Sequence, residues 1–343
     1  MSQQKAPGRG ARRGSGGITL SDVSRLAGVS AITVSRALNA PERVSPETRE
    51  KVRLAVERTG YVPNLLAGGL ASNRSRLVAA LVPTIAGPVF LETVQALTEE
   101  LAAAGYQLML GQSGYAESRE DALINAIIGR RPDGIVLTGI MHSPEGRHRL
   151  LAAGIPVVET WDLTPNPVDM LVGFSHEKVG AAIAHYLHGK GYRHPAIATG
   201  DDQRARLRCQ AFCDTMRTLG VPDTPVHLVP APTTLAAGRP ALAALLAAHP
   251  ETDALVCSSD VLAHGAIIEA QSRGLRVPQD VAVMGFGDLA FAQHAFPSIS
   301  TVRIDGVAIG RHAARCIVDR VERRAAGPRS IDVGFSLVER ESA

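Results

Sequence analysis

Two arginines four residues apart, Arg204 and Arg208, sit in the stretch QRARLRCQAF directly after a short apolar run. At 3.6 residues per turn they share one helix face, while Arg206 points elsewhere. Like charges on one face repel, and an anion between them relieves the repulsion. A carboxylate can also accept two parallel N–H bonds from a guanidinium. The competing reading leaves both arginines solvated or paired with Asp201 and Asp202. Near the other end of the chain, Arg36 lies in TVSRALN, with Ala31 and Ile32 just before it. A guanidinium there can pair with O6 and N7 of guanine, whereas Ala31 and Ile32 reach only methyl groups or sugar.

Other chemistry is sparse. GFGDLA at 285–290 fits a loose dinucleotide-binding pattern, but no opening βαβ unit or ribose-binding acid accompanies it, so it reads as a turn. His185 and His188 are three apart without a third ligand, which favours a helix-surface pair over a metal site. Asp201-Asp202 reads as the polar turn before a helix. Cys209, Cys213, Cys257 and Cys316 have no C-x-x-C spacing, so neither a zinc ribbon nor a disulfide framework is expected. Walker and G-x-S-x-G motifs are missing. The expectation is a protein that is not an enzyme, with no catalytic residue, metal or cofactor.

These residues need elements to position them. The 343 residues carry a net charge of +3, which conceals an asymmetry. Residues 1–76 hold 13 Lys and Arg against 5 Asp and Glu; the remainder holds 23 against 28. A basic head on a mildly acidic body suggests a polyanion partner for the head alone, the competing reading being a solvated basic tail. Residues 1–17, rich in Gly, Ser and Arg, read as a disordered tail. Thr19-Leu20-Ser21-Asp22 has the form of a capping box, Val23, Leu26 and Ala27 follow at helical spacing, and Gly28 ends the helix. Ser30 starts a second helix to about Asn39, and Ser45-Pro46-Glu47 starts a third that ends at Gly60. Two short helices joined by a glycine turn and braced by a third make a helix-turn-helix over 18–62, with Ala31, Ile32, Ser35 and Arg36 facing away from the core.

From residue 77 to 343 apolar runs alternate with helical stretches in two series, which implies parallel sheets covered by helices in two lobes. Ligands of such sheets bind at the carboxyl ends of the strands. No signal peptide or membrane-length apolar run stands out, and a cytoplasmic protein without membrane contact is expected.

The head resembles the DNA-binding head of LacI/GalR repressors in DVSRLAGVS, TVSRALN, VSPETREKV and GYVPN. That resemblance implies base reading by Arg36, Ala31 and Ile32. It places Thr19, Ser30, Ser35, Asn39 and Arg43 at phosphates or neighbouring edges. Within a linker over 63–76, Asn64 to Ala71 would be a hinge helix, with Leu70 a wedge in the minor groove. Gly68 and Gly69 interrupt that helix, each costing about 1 kcal/mol relative to Ala, so its folding is expected only on DNA.

The resemblance continues through GYRHPAIATG, DALVCSSDVLAHGAI, GLRVPQDVAVMGFGD, PSISTVRID and LVERES. It implies a two-lobed effector domain similar to periplasmic binding proteins, with lobe crossings near 173–176, 300–305 and 329–333. The absence of a heptad extension implies a homodimer on palindromic double-stranded DNA. GYQLMLGQSGY, GIPVVETWD, DMLVGFSHEKVGAA and DVGFSLVERES resemble gluconate-operon repressors. By that resemblance Arg208 and Arg204 hold a sugar acid, with Phe90, Trp161, Ser259 and Asp260 stacking or meeting hydroxyls. Gly287 stands where many sugar-responsive members carry an Asp, which counts against a neutral sugar. The resulting expectation is a repressor released from its operator by gluconate or a relative. The alternatives are a neutral-sugar or purine response, or corepression.

Overall fold

A computed structural model describes residues 18–62, 74–115, 117–141, 143–324 and 327–343. The tail at 1–17, Asn64, Leu70 and the hinge helix fall outside the described residues. The chain divides into two compact units, one ending at Asn73 and one beginning at Arg74.

In the first unit, α1 spans Leu20–Ala27, α2 Ala31–Asn39 and α3 Pro46–Thr59. Each start has the expected cap. The Asp22 carboxylate accepts from Thr19 N at 2.9 Å and from Thr19 Oγ1 at 2.6 Å. Ser30 Oγ accepts from Thr33 N, and Ser45 Oγ from Thr48 N. Gly28 and Gly60 close α1 and α3 at φ 65° and 66°, the left-handed region where a side chain is strained. Val23, Val34, Val52 and Ala55 form the core, with Leu20, Ala27, Ala37, Leu38 and Tyr61 against it. Leu26 was expected inside but is 44% exposed. The inward stripe of α1 is Leu20, Val23 and Ala27, and Leu26 falls at its edge in a helix of only two turns. A 3-10 turn at Pro41–Arg43, not foreseen, links α2 to α3.

The second unit has two parallel sheets. The first contains β1 (Leu77–Val82), β2 (Gln107–Gln112), β3 (Gly134–Thr138), β4 (Val157–Thr160), β5 (Met170–Gly173) and β11 (Ser330–Asp332), in the order β11-β5-β4-β3-β1-β2. The second contains β6 (Pro195–Gly200), β7 (Val226–Val229), β8 (Ala254–Cys257) and β9 (Ala282–Met284), in the order β7-β6-β8-β9. An antiparallel ribbon pairs β10 (Thr301–Arg303) with β12 (Ser336–Val338). The helices are α4 (Leu91–Ala103), α5 (Glu117–Ile128), α6 (Pro144–Ala153), α7 (His176–Gly189), α8 (Gln203–Thr218), α9 (Leu235–Ala248), α10 (Asp260–Ser272) and α11 (Gly306–Val321). Among the described residues no helix is long and apolar enough to cross a membrane.

The chain leaves the first lobe after β5, returns around β10 and α11, and leaves again after β11. The third crossing therefore follows Asp332. The stretch 329–333 expected to be a crossing is largely strand β11, paired in parallel with β5. The residues Arg74–Arg76 belong to the body: Ser75 N and Arg76 N donate to the Asp133 carboxylate.

Helices α7 and α8 pack backbone to backbone on the second lobe. A Cβ built on Gly180 of α7 would lie 2.2 Å from the Arg208 carbonyl oxygen of α8. Gly180→Ala gains about 1 kcal/mol of helix propensity but overpacks the contact at about 1–3 kcal/mol. A lower melting temperature is expected, together with weaker ligand binding because Arg208 is displaced. An unchanged melting temperature would show that the helices separate without cost.

Candidate functional site

In the head, α2 presents Ile32 with 65% of its surface exposed, Arg36 exposed beside it, and Ala31 and Ser35 half-buried. Arg36 pairs with no acid among the described residues. Thr19, Ser30, Asn39 and Arg43 are exposed around this face. Asn39 Nδ2 donates to the Ser35 carbonyl at 3.0 Å, and Arg43 lies 3.7 Å from Glu42. The arrangement offers one unpaired guanidinium and two apolar side chains to a groove, flanked by small polar groups.

In the body, a cleft of about 710 Å³, counted to its open mouth, lies at the carboxyl ends of β1, β4, β6, β8 and β9. Phe90, Trp161, Arg204, Arg208 and Ser259 all line it. Asp202 caps α8 by accepting from Ala205 N at 3.0 Å. From the first two turns of that helix, Arg204 and Arg208 face the cleft. Arg206 turns away and pairs with Asp201. The competing pairing of Arg204 and Arg208 with Asp201 and Asp202 does not form, and neither arginine has a carboxylate partner among the described residues.

Each arginine is held by uncharged groups instead. Arg204 reaches the first lobe, donating to the Thr138 carbonyl at 3.3 Å and lying 5.2 Å from the Phe90 ring centre. Arg208 lies 3.9 Å over Phe286, donates to the Ser258 carbonyl at 3.4 Å and to His176 Nδ1 at 3.0 Å. A guanidinium can only donate, so His176 Nδ1 accepts and its Nε2 carries the proton given to the Trp161 carbonyl at 2.9 Å. Burial, then the neighbouring Arg208 and Arg204, hold His176 well below its usual range, so it stays neutral. Burial likewise brings the Arg208 guanidinium down to about 10, with Arg204 adding repulsion and Asp202 opposing it.

The aromatic wall is fixed by edge contacts. Trp161 meets Phe90 at 5.0 Å and Phe174 at 5.9 Å, both T-shaped, and its Nε1 donates to Thr93 Oγ1. Trp161 is at φ 66°, a left-handed backbone that turns its ring into the cleft. Ser259 Oγ caps α10 and bonds to Thr233 Oγ1.

Asp260 does not join them. It is fully buried, accepting from Thr301 Oγ1 and from Leu289 N, and its carboxyl is raised by burial to about 6. Gly285 leaves room for it, since a Cβ there would meet Asp260 Oδ1 at 2.2 Å. Asp260 thus anchors the GFGDLA turn to β10. Asp288 of that turn is also engaged, between Arg303 and Arg340. His185 is exposed and His188 half-buried on α7. His176, Phe286 and Tyr115 were missed as cleft residues. The predicted crossing at 173–176 was the signal that pointed to His176.

A helix-turn-helix head and a two-lobed body with a polar-and-aromatic cleft define a ligand-responsive DNA-binding regulator. Residues 19–64 match the family described as bacterial regulatory proteins, lacI family, and residues 184–343 match a periplasmic binding protein-like domain. The HTH-type transcriptional regulator GntR of Pseudomonas aeruginosa is 37% identical over 332 residues, covering 96% of this chain and 97% of the relative. The regulator of the same name in Escherichia coli K12 is 30% identical over 319 residues, covering 93% and 96%. A LacI-family transcriptional regulator from Silicibacter pomeroyi superposes with a TM-score of 0.90 at 33% identity, covering 95% and 99%. The chain belongs to the LacI family and is a DNA-binding transcriptional repressor. These relatives are named as regulators, in agreement with the expectation of no enzyme.

The neutral His176 makes a pH-dependent contribution. Its unfolded form takes up a proton near pH 6.5, while the folded form resists, so this contribution is complete above that pH and is lost as pH falls below it. His176→Phe leaves Arg208 and the Trp161 carbonyl each short of a partner, at about 1–3 kcal/mol. Its melting temperature should lie below wild type at pH 7.5, with the gap narrowing at pH 5.5. A gap that widens on acidification would mean the imidazole is charged in the fold.

Proposed function

We propose that the protein acts in the cytoplasm as a homodimer on a palindromic operator and releases it when a small sugar acid, gluconate or a relative, enters the cleft. The reading rests on one observation: Arg204 and Arg208 face the cleft without a carboxylate partner among the described residues. An anionic ligand supplies the missing charge, and a guanidinium holds a carboxylate directionally. The aromatic wall at Phe90 and Trp161 suits the apolar C–H face of a sugar chain, and Ser259 suits its hydroxyls. The resemblance to gluconate-operon repressors, together with relatives named GntR, supports the same ligand class.

Release follows from linkage. The ligand weakens operator binding only by its differential affinity for two lobe arrangements. Arg204 contacts Thr138 and Phe90 across the cleft, so a ligand carboxylate there changes how the lobes meet.

Calorimetric titration of the full chain with gluconate tests the ligand class, and the absence of heat at millimolar ligand would remove it. Arg208→Ala should weaken gluconate binding roughly a hundredfold, the loss of a charge-assisted pair of about 2–3 kcal/mol. Operator affinity without ligand should be unchanged. Arg208→Lys should recover only part, because an ammonium lacks the planar fork. In the head, Arg36→Ala should cost about 1–3 kcal/mol on an operator selected from a random pool and relax one guanine per half-site. Equal losses on selected and random DNA would make Arg36 a phosphate contact.

A further inference from the structure

The cleft does not end at Arg204. A second chamber lies beyond it, sharing Tyr115, Asp202 and Arg204 as common walls. Its electrostatic character is reversed. Four carboxylates line it, Glu120, Asp162, Asp201 and Asp202, against the two guanidiniums of Arg204 and Arg206. Asp201 is neutralised by Arg206 and Asp202 is committed to capping α8. Asp162 is different. It is only 6% exposed, and one carboxylate oxygen accepts from Leu163 N at 2.8 Å. The other oxygen has no hydrogen-bond or ion-pair partner among the described residues. That oxygen faces the chamber, where a donor from solvent or from a ligand can reach it.

Its position is fixed from behind. Gly173 of β5 packs on the Asp162 backbone so tightly that a Cβ there would lie 2.1 Å from the Asp162 carbonyl oxygen. Trp161 in the first chamber and Asp162 in the second are consecutive residues after β4, so one turn of chain lines both. Asp162 also lies within electrostatic reach of Arg204 and Arg208. Burial raises its carboxyl to about 6, so it is mostly ionised at neutral pH.

Building on the reading of the first chamber as a carboxylate site, we infer that Asp162 is a specificity-determining residue that receives the far end of the same ligand. It accepts a terminal hydroxyl or ammonium and repels a second carboxylate. The ligand class is thereby narrowed from sugar acids to those with one acid terminus. A polyhydroxy monocarboxylate satisfies both chambers. A dicarboxylate of the same length presses a second anion against Asp162, and like charges brought together are strongly unfavourable.

The test is calorimetry on the full chain at pH 7.5 with three six-carbon acids that differ only at the far carbon. Gluconate ends in a hydroxyl, glucarate in a carboxylate and 6-amino-6-deoxygluconate in an ammonium. The wild type should bind glucarate about tenfold or more weakly than gluconate, and the amino acid derivative at least as tightly as gluconate. Asp162→Asn keeps the shape and the acceptor to Leu163 but removes the charge. In that variant the gluconate-to-glucarate ratio should fall toward one and the advantage of the ammonium should vanish. Equal binding of gluconate and glucarate by the wild type overturns the inference, as does a ratio unmoved by Asp162→Asn. Either result, with gluconate still bound, leaves the carboxylate site standing. Binding of none of the three overturns both. Should Asp162→Asn fail to fold, the order of the three ligands on the wild type still decides.

Discussion

A guanidinium drawn out of water loses hydration that only hydrogen bonds, an aromatic face or an anion can replace. The body keeps Arg208 in this condition without a carboxylate salt bridge among the described residues. Phe286 gives it a π face, Ser258 a carbonyl, and His176 an imidazole nitrogen. The arrangement works only while His176 is neutral, because a protonated ring has no acceptor to offer. That neutrality is enforced by burial and by the arginines themselves. His176 in turn fixes the Trp161 carbonyl, so one chain of hydrogen bonds runs from α8 in the second lobe to the end of β4 in the first. An anion arriving at Arg208 therefore meets a group whose positioning already spans the two lobes.

The crossings between lobes are held by a different chemistry. Asp260, the first residue of α10, and Asp288, in the turn after β9, are buried or nearly buried acids. Their partners are Thr301, Arg303 and Arg340, which lie on β10 and near the chain end. Ser342 N donates to the Ser298 carbonyl, and Val283 N donates to the Ser342 carbonyl, tying the last residues to β9. The carboxylates of Asp260 and Asp288 are thus engaged at the joints, and neither is available to Arg204 or Arg208. In the first chamber Arg204 and Arg208 form no salt bridge among the described residues, although Asp202 and Asp162 lie within electrostatic reach of Arg208.

Local signals were the legible part of the sequence. Thr19 with Asp22, Ser30, Ser45-Pro46, Gly28 and Gly60 each carry a helix end in a few residues, and those ends lie where they were expected. The face shared by Arg204 and Arg208 was readable for the same reason, since helical spacing is local. What failed was set by tertiary contacts. Met170–Gly173 is a four-residue strand buried on both faces, so it shows no alternation to read. Gly306–Val321 hides its inward stripe of Ile309, Ala313 and Ile317 among arginines and glycines, so no apolar run marks it as a helix. Asp260 could not be told from Ser259 as a cleft residue, because one residue along a helix start separates a side chain facing the cavity from one facing the core. His176 and Asp162 matter through what lies across space from them, and spacing along the chain carries none of that.

The same side chain type is used twice under opposite conditions. Arg36 stands exposed in the head, unpaired among the described residues, where water and salt screen its charge; on the proposed reading it serves DNA binding through the geometry of its fork more than through Coulomb attraction. Arg208 is packed under protein, where screening ions do not reach and attraction to an anion is correspondingly strong. On the proposed reading, operator binding should then depend steeply on ionic strength, through the phosphates that the basic head neutralises, while ligand binding in the cleft should depend on it only weakly. Raising salt would weaken the hold on DNA without much altering the occupancy of the cleft. By linkage, the concentration of sugar acid that releases the operator would then fall as salt loosens the hold on DNA, while the ligand affinity of the free repressor would change little.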